Sequence, residues 1–546
     1  MSGSQPKQVP SWQESGQGYP LRWHVLSVLV VSLLVVVLDN TVLNIALPTI
    51  QRDLDASQDE LVWAVDSYIL AFAALLFTWG VIGDRIGRKR VLVIGLIIFG
   101  LASAACAFSP DAQWLIWLRV VMGIGGAAVL PTTLAIITVV FPPHERGKAI
   151  GVWGGAVGAA VALGPVIGGL LLQNPSWSRW LTGNDWGSVF LINVPVVLVG
   201  VIAILRVVPE TKNPQPRRLD ITGLVISVVG LVLLVYGIIH ASETRDWLAP
   251  SVILTILAGI AIIAVFLLLE ARSDHASFDV SLFRNRGYAI SLTAVSLAFF
   301  ALSGITFTLP FYLQIVRGYE TVFAGLCFLP FAVGQLVAAT RSSAIVDRLG
   351  YRAVITTGLI LLGVALAGLT QITPQTPLAL LLLDFLAFGL GMGLVIAPGS
   401  TVMQNVLPLP RVGAGSAVQS TVRQVAGALG VAIVGTVLGN QYAAAIEPTL
   451  RQLPDQVPPE LRAQAGQSLV ATDALLAQAA GSGLTPSGLE AITSSAYEAF
   501  LSASHLTSFI CLGVVAIAAI VVGFGLPRIE PPKRLQPDAQ PLSDHS

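Results

Sequence analysis

Five ionisable side chains stand out deep inside long apolar runs of this chain: Asp39, Asp66, Arg119, Asp384 and Arg423. A charge in hydrocarbon is expensive, so each is a candidate functional group. A carboxylate so placed can take up and release a proton, because burial disfavours its charged form and a nearby cation favours it. Asp39 and Arg119 are the types such an exchange needs. If a movement withdraws the guanidinium the acid is protonated, and if it returns the proton leaves; a static structural ion pair is the plainer alternative. Asp66 can attract an organic cation, with Trp63 three residues earlier on the same helical face; the plainer alternative is an interfacial Asp in an outer vestibule. Tyr312 and Gln314 are further candidates to line a substrate cavity, beside the alternative that the aromatics face lipid or core.

The runs that hold these residues are membrane spans. Of 546 residues, 54% are hydrophobic and 11% charged, against about 25% charged in an ordinary soluble domain. Lys+Arg and Asp+Glu balance at 30 each, which leaves no global field for polyanions and argues against nucleic acid as a partner. Crossing a bilayer takes about 20 apolar residues as helix. Fourteen runs qualify: 23–48, 61–82, 91–108, 113–140, 149–172, 188–207, 221–240, 250–270, 289–314, 321–345, 353–371, 377–400, 412–440 and 504–526. With the N-terminus inside, the inner segments hold 22 of the 30 basic residues and the outer segments 6. That bias places both termini in the cytoplasm and the chain in the cell membrane. Cys106, Cys327 and Cys511 all fall in apolar runs and read as buried thiols.

At a rise of ~1.5 Å per residue, Asp39, Asp66 and Arg119 all lie roughly 8–13 Å below the outer surface. Asp384 sits seven residues into span 12 and Arg119 six into span 4. Arg423, about eleven residues up span 13, comes within roughly 5 Å of the depth of Asp384. The expectation is an Asp384–Arg423 ion pair in at least one state, against the alternative that each has its own polar niche.

The chain repeats itself. Gly80-Val-Ile-Gly-Asp84-Arg85-Ile-Gly87-Arg88 follows the second span, and Asp347-Arg348-Leu-Gly350-Tyr-Arg352 follows the tenth. Gly123-x-Gly125 and Pro131 in span 4 are echoed by Gly389-x-Gly391-x-Gly393 and Pro398 in span 12. Two parallel halves around a midplane site are a transporter architecture. The reading is an all-α membrane protein: a tail 1–22, a six-helix bundle 23–207, a linker with spans 7 and 8 over 208–288, a second six-helix bundle 289–527 with a long outer loop 441–503, and a tail 528–546. The basic turn is explained by topology; Asp84 within it is not, and is expected to pair with a basic group or face a helix N-terminus, as a latch. Gly164-Pro165 in span 5 should bend that helix. Gly147-Lys148-Ala149 lacks a phosphate-binding pattern, and no catalytic triad or metal-ligand cluster is present, so neither an enzyme, nor ATP, nor any cofactor is implied.

These motifs resemble the major facilitator superfamily, and within it the fourteen-helix drug:proton antiporters of the EmrB/QacA type. Leu38-Asp39-Asn40-Thr41-Val42-x-Asn44-x-Ala46-Leu47-Pro48 is similar to the first-span motif of that branch, and Gly80 to Arg90 to the loop motif of the superfamily. Arg119-x-x-x-Gly123-x-Gly125 is similar to the fourth-span motif associated with proton coupling. Gly151, Gly164-Pro165 and Gly168-Gly169 resemble the antiporter motif of span 5, with Ala160 in place of its middle glycine. Trp63-Ala-Val-Asp66-Ser-Tyr68 looks like the antiseptic-exporting members, whose further carboxylates are replaced here by Gln335, Gln419, Ser420 and Gln424. The resemblance implies an exporter of amphipathic, cationic or neutral small molecules, conferring antibiotic resistance and driven by the proton gradient; a monomer is the expected working unit. Asp39 and Arg119 would couple protons. Gly80, Asp84, Arg85, Gly87, Arg88, Gly164, Pro165, Asp347 and Arg348 would serve the conformational switch. Export of an endogenous lipid or metabolite, or a non-transporting sensor on the same scaffold, are the other readings.

Overall fold

The structure is a computed structural model and describes residues 18–56, 58–173, 176–211, 220–272, 280–407, 412–451, 466, 468–479 and 486–529. Its long helices, in chain order, are α1 (Arg22–Leu54), α2 (Gln58–Ile86), α3 (Arg88–Cys106), α4 (Ala112–Gly126), α5 (Val129–Val140), α6 (Pro143–Gln173), α7 (Asn193–Val207), α8 (Ile221–Thr244), α9 (Pro250–Arg272), α10 (Arg286–Phe311), α11 (Leu329–Leu369), α12 (Leu378–Val406), α13 (Val412–Arg451) and α14 (Pro486–Gly525). No strand occurs among the described residues. In a bilayer every backbone N–H and C=O must be satisfied within the segment, which leaves helix as the conformation for these runs.

Twelve stretches among the described residues are long and apolar enough to cross a membrane, where fourteen spans are expected. The difference lies at two places. Expected spans ten and eleven fall within one apolar stretch, Val322–Leu369, but the backbone of α11 leaves the helical region at Gly350 with φ 79°, so two helices meet there at a kink, as the two spans require. Expected span five lies in α6, a 31-residue helix that is not among the twelve. Other departures come from proline. Expected span four is broken at Ala127–Ala128 into α4 and α5, because Pro131 has no N–H to give to the carbonyl of residue 127. Pro310 lies inside α10, and the next residues, Tyr312–Val316, relax into a wider π turn. The segment expected as an outer loop from 441 is shortened at both ends, since α13 continues to Arg451 and α14 begins at Pro486; a helix Leu469–Ala479 lies between them. The tails 1–17 and 530–546 lie outside the described residues.

Helices α1 to α7 pack on one another around one buried cluster that includes Leu33, Tyr68, Phe72, Phe99 and Trp153. A second cluster is built on α10 to α14 around Phe331, Phe385, Phe388 and Met392. The halves meet along two lines, α2 against α13 and α6 against α11. Small residues make both lines possible. On α6, Gly151, Gly155 and Gly158 fall at helical spacing and face Ala339, Leu336 and Gln335 of α11. A Cβ at Gly155 would meet the Leu336 side chain at 2.6 Å and its Cα at 3.0 Å. On α2, Gly80 approaches the carbonyl of Gly413 on α13, where an added Cβ would come within 2.6 Å. Gly164 faces Thr41 of α1 instead, so the glycines of span 5 serve two different partners; the side chain of Pro165 lies outside the described residues. The inserted α8 and α9 pack as a pair, and α8 lies against both α2 and α13. Trp247, between them, donates from Nε1 to Thr436 Oγ1 of α13 at 3.1 Å.

Gly155→Val should therefore force the halves apart along α6–α11. Overpacking of this kind costs ~1–3 kcal/mol. Thermal unfolding of the detergent-purified variant is expected to fall below that of the parent, while the conservative Gly155→Ala change should fall less; equal melting of all three would show that the crossing tolerates bulk.

Candidate proton-coupling site

The structure brings Asp39 and Arg119 together. Asp39 Oδ2 accepts from Arg119 Nη1 at 2.5 Å, and both side chains are buried. The rest of the guanidinium is also engaged. Its Nε donates to the carbonyl of Ala64 on α2 at 3.0 Å, and its Nη2 to Asn40 Oδ1 at 3.5 Å. Its planar face lies over the Tyr68 ring, 4.3 Å from the centroid. The second carboxylate oxygen, Asp39 Oδ1, accepts from Asn193 Nδ2 of α7 at 3.0 Å. Asn193 Nδ2 also lies 3.0 Å from Ser103 Oγ, which donates in turn to the carbonyl of Phe190 at 2.9 Å.

Local sequence explains the convergence. Gly123 sits where a Cβ would meet the Tyr68 carbonyl at 2.6 Å, so its absence lets α4 approach α2. Gly125 does the same for α3, against the backbone of Gly95 and Phe99. Arg119 is one helical turn before Gly123 and so reaches into the seam that the glycines close. Ala64 supplies a carbonyl and Tyr68 a ring from successive turns of α2. Neither Asn193 nor Tyr68 is singled out by the sequence as a partner of the pair. A lone Asn in the apolar run 188–207 was the available signal for the first, by the same cost argument that singles out the charges.

Other candidate residues are placed differently. Asp66 is half-buried on α2, two residues beyond Ala64, and outside the pair. Trp63 stacks on Tyr236 of the inserted α8 at 6.1 Å between centroids, and Tyr236 stacks on His240. That places Trp63 toward the inserted helix and not toward the second half. Tyr312 is fully buried and donates from its hydroxyl to the Thr373 carbonyl at 2.8 Å. It ties the end of α10 to the connection after α11, a structural role in place of the expected cavity lining; Gln314 is half-buried beside it. Asp384 and Arg423 do not pair in this structure. Asp384 lies against Gly368, one of its oxygens buried without a hydrogen-bond partner. Arg423 lies between the rings of Trp153 and Phe299, at 5.3 and 4.8 Å from their centroids. Similar depth is not similar azimuth: α12 turns Asp384 toward α11, and α13 turns Arg423 toward α6 and α10.

At the end of the bundle where the basic residues gather, Asp84 does two things. Its Oδ1 accepts from Arg88 Nη2 at 2.6 Å and from Arg88 Nε at 3.0 Å. It also accepts from the backbone N–H groups of Gly413 at 2.9 Å and Ala414 at 3.0 Å. These are the second and third residues of α13, the N–H groups that a helix's own N-cap side chain usually satisfies. An acid of one half thus caps a helix of the other. Gly87 ends the turn with φ 118°, and Gly350 repeats it with φ 79°, a region that favours glycine. The repeat is imperfect in burial: Asp84 is buried, while Asp347 is exposed, lining a small cavity with Pro143, His144 and Gly147 at the start of α6. Arg85 and Arg348 are exposed. Polar side chains join the halves next to the Asp84 cap. Thr138 Oγ1 of α5 donates to Gln404 Oε1 of α12 at 3.1 Å, Gln404 Nε2 to Gln419 Oε1 at 2.9 Å, and Gln419 Nε2 to Ser400 Oγ at 2.7 Å. This end is closed.

A family model described as Major Facilitator Superfamily matches residues 29–431. The chain belongs to that superfamily. Among its relatives, the multidrug resistance protein Stp of Mycobacterium tuberculosis is 33% identical over 427 residues, 78% of each chain. The multidrug efflux pump LfrA of Mycolicibacterium smegmatis is 31% identical over 507 residues, 93% of this chain and 96% of LfrA. The crystal structure of the human organic anion transporter MFSD10 (TETRAN) superposes with a TM-score of 0.60 at 15% identity, covering 92% of this chain and 100% of that one, a likeness of fold. As a major facilitator, this chain is a multi-pass membrane protein of a transporter family.

Removing one member of the Asp39–Arg119 pair leaves a buried charge alone, a change worth ~3–5 kcal/mol. Arg119→Gln and Asp39→Asn are each expected to lower thermal stability in detergent, and the double variant to lose less than the sum. Strictly additive losses would mean the two side chains act independently.

Proposed function

We propose that the chain exports amphipathic organic compounds across the cell membrane in exchange for protons, as a multidrug efflux antiporter. The observation that carries this reading is the Asp39–Arg119 pair, a buried carboxylate held by a guanidinium inside the first half of a major facilitator whose relatives Stp and LfrA are named for multidrug resistance and efflux. A carboxylate in this position has two ways to be neutral with its surroundings. It can share the charge of Arg119, or it can hold a proton. Switching between them needs Arg119 to move relative to α1, and Arg119 is anchored on α4 to the α2 backbone at Ala64. A shift of α1 against α2 and α4 would therefore break the ion pair and open the acid to protonation from one side.

In this mechanism the Asp84 cap is the closure at the basic end. With both termini in the cytoplasm, as the Lys/Arg distribution favours, that end faces the cell interior and the closed state described here precedes release to the outside. Protonation of Asp39 would weaken its hold on Arg119 and return the bundle toward the state that loads from inside. Each cycle would then take in protons as it expels substrate. The working unit in this reading is a monomer, with no cofactor beyond the gradient.

Expression in a pump-deficient bacterial host should lower the accumulation of an amphipathic dye such as ethidium, and a proton uncoupler should abolish the difference. Efflux that persists with the gradient collapsed would refute antiport, and its absence with every dye tested would refute multidrug export. In purified protein, dye binding to the parent should release protons, and Asp39→Asn should release fewer. Binding heats measured in two buffers of different ionisation enthalpy read this directly; unchanged release would remove Asp39 from the coupling role. Asp84→Asn should slow efflux several-fold while dye binding in detergent is retained.

A further inference from the structure

Two arginines are buried inside spans, and they are treated differently. Arg119 has a carboxylate, a backbone carbonyl and an amide oxygen for its N–H groups. Arg423 is 3% exposed and has none of these. Its only contacts of this kind among the described residues are the faces of Trp153 and Phe299. Ring faces attract a cation, but they offer no acceptor to the five N–H groups of a guanidinium. Arginine does not lose its proton in proteins, so the charge remains. The carboxylate nearest to it in depth, Asp384, is turned away against Gly368. One turn back along α13, on the same face, Ser420 Oγ is also buried without a hydrogen-bond partner.

The position of this unmatched charge is specific. Arg423 is carried by α13, Phe299 by α10 and Trp153 by α6, so the guanidinium lies on the seam between the two halves. It is eleven residues along α13, or roughly 16 Å from the start of that helix, beyond the reach of a lipid headgroup. Trp153 is held in place by its own Nε1, which donates to Thr133 Oγ1 at 3.1 Å. The Gln404–Gln419–Ser400 chain lies on the side of the basic end, with its side chains bonded to one another, and no hydrogen bond links it to Arg423.

We propose that Arg423, with the Ser420 hydroxyl beside it, is the seat of an anionic group, a carboxylate or a phenolate, on the molecule that binds between the halves. The site widens the substrate class of the exporter from cationic and neutral compounds to acidic amphiphiles, with the aromatic faces of Trp153 and Phe299 taking the apolar part. Its role in transport rests on the export reading given above; its binding chemistry does not.

The test is a matched pair of probes that differ in charge alone, 11-(dansylamino)undecanoic acid and its methyl ester. Each is titrated by fluorescence at pH 8 into the purified full chain in a neutral detergent. The acid is expected to bind at least tenfold more tightly than the ester. Arg423→Gln should reduce that preference to within twofold, and Arg423→Lys should keep part of it, because the charge remains without the fork of N–H groups. Equal affinities of the parent for acid and ester, no measurable binding of the acid, or a preference that survives in Arg423→Gln would each overturn the proposal. Should Arg423→Gln elute as aggregate, the parent ratio and Arg423→Lys decide. Proteoliposomes separate the two readings. A preserved acid preference without proton-driven movement of the acid would refute export and leave the anion site standing.

Discussion

The interior of a bilayer allows a charge only if something nearby answers it, and the first half of this protein is organised around one such answer. Arg119 and Asp39 neutralise one another, but a bare pair would still leave lone pairs and N–H groups unsatisfied. The surrounding helices supply them: a carbonyl from α2, an amide oxygen from α1, an amide nitrogen from α7 and a ring face from α2. To bring four helices to one point, the chain removes side chains where backbones must touch. Gly123 and Gly125 are the consequence. A motif that reads in sequence as an arginine followed by glycines is, in space, a charge and the clearance needed to enclose it.

The same economy of small residues governs the contact between the halves, with a different outcome. Along α6–α11 and α2–α13 the glycines allow close approach without any buried ion pair spanning the seam among the described residues. The polar contacts that cross between the halves are few: the hydrogen bonds of Asp84 and Thr138 at the basic end, that of Arg146 to Asn405, and that of Gln335 Nε2 to the Gly154 carbonyl on the α6–α11 line, beside the Arg423–Trp153 contact. The inserted α8 lies across the α2–α13 line and the α6–α11 line has no such cover from it, so the two seams are not equivalent.

Much of this was legible in the sequence, because the length of an apolar run and the sign of its flanks are properties of the bilayer as solvent. The all-helical membrane architecture and the meeting of Asp39 with Arg119 follow from lengths and costs. What the sequence did not yield is rotation. Asp384 and Arg423 share a depth, yet their helices turn them to different neighbours, and no one-dimensional count contains that angle. Tyr312 looked like cavity lining because it is an aromatic late in a span; Pro310 widens the following turn and sends its hydroxyl to Thr373 instead. The basic turn at Asp347–Gly350 that separates spans ten and eleven in the sequence is matched in space by the non-helical Gly350, where two helices meet at a kink.

The cap that Asp84 places on α13 sets a threshold for movement. Two N–H groups in the first turn of α13 are satisfied by a residue that belongs to the other rigid unit. When the units separate, that turn must be rehydrated or frayed, and a lost cap is worth ~0.5–2 kcal/mol. An increment of that size shifts a two-state ratio by a factor of roughly two to thirty. A single carboxylate on one half therefore sets part of the cost of freeing the first turn of a helix on the other.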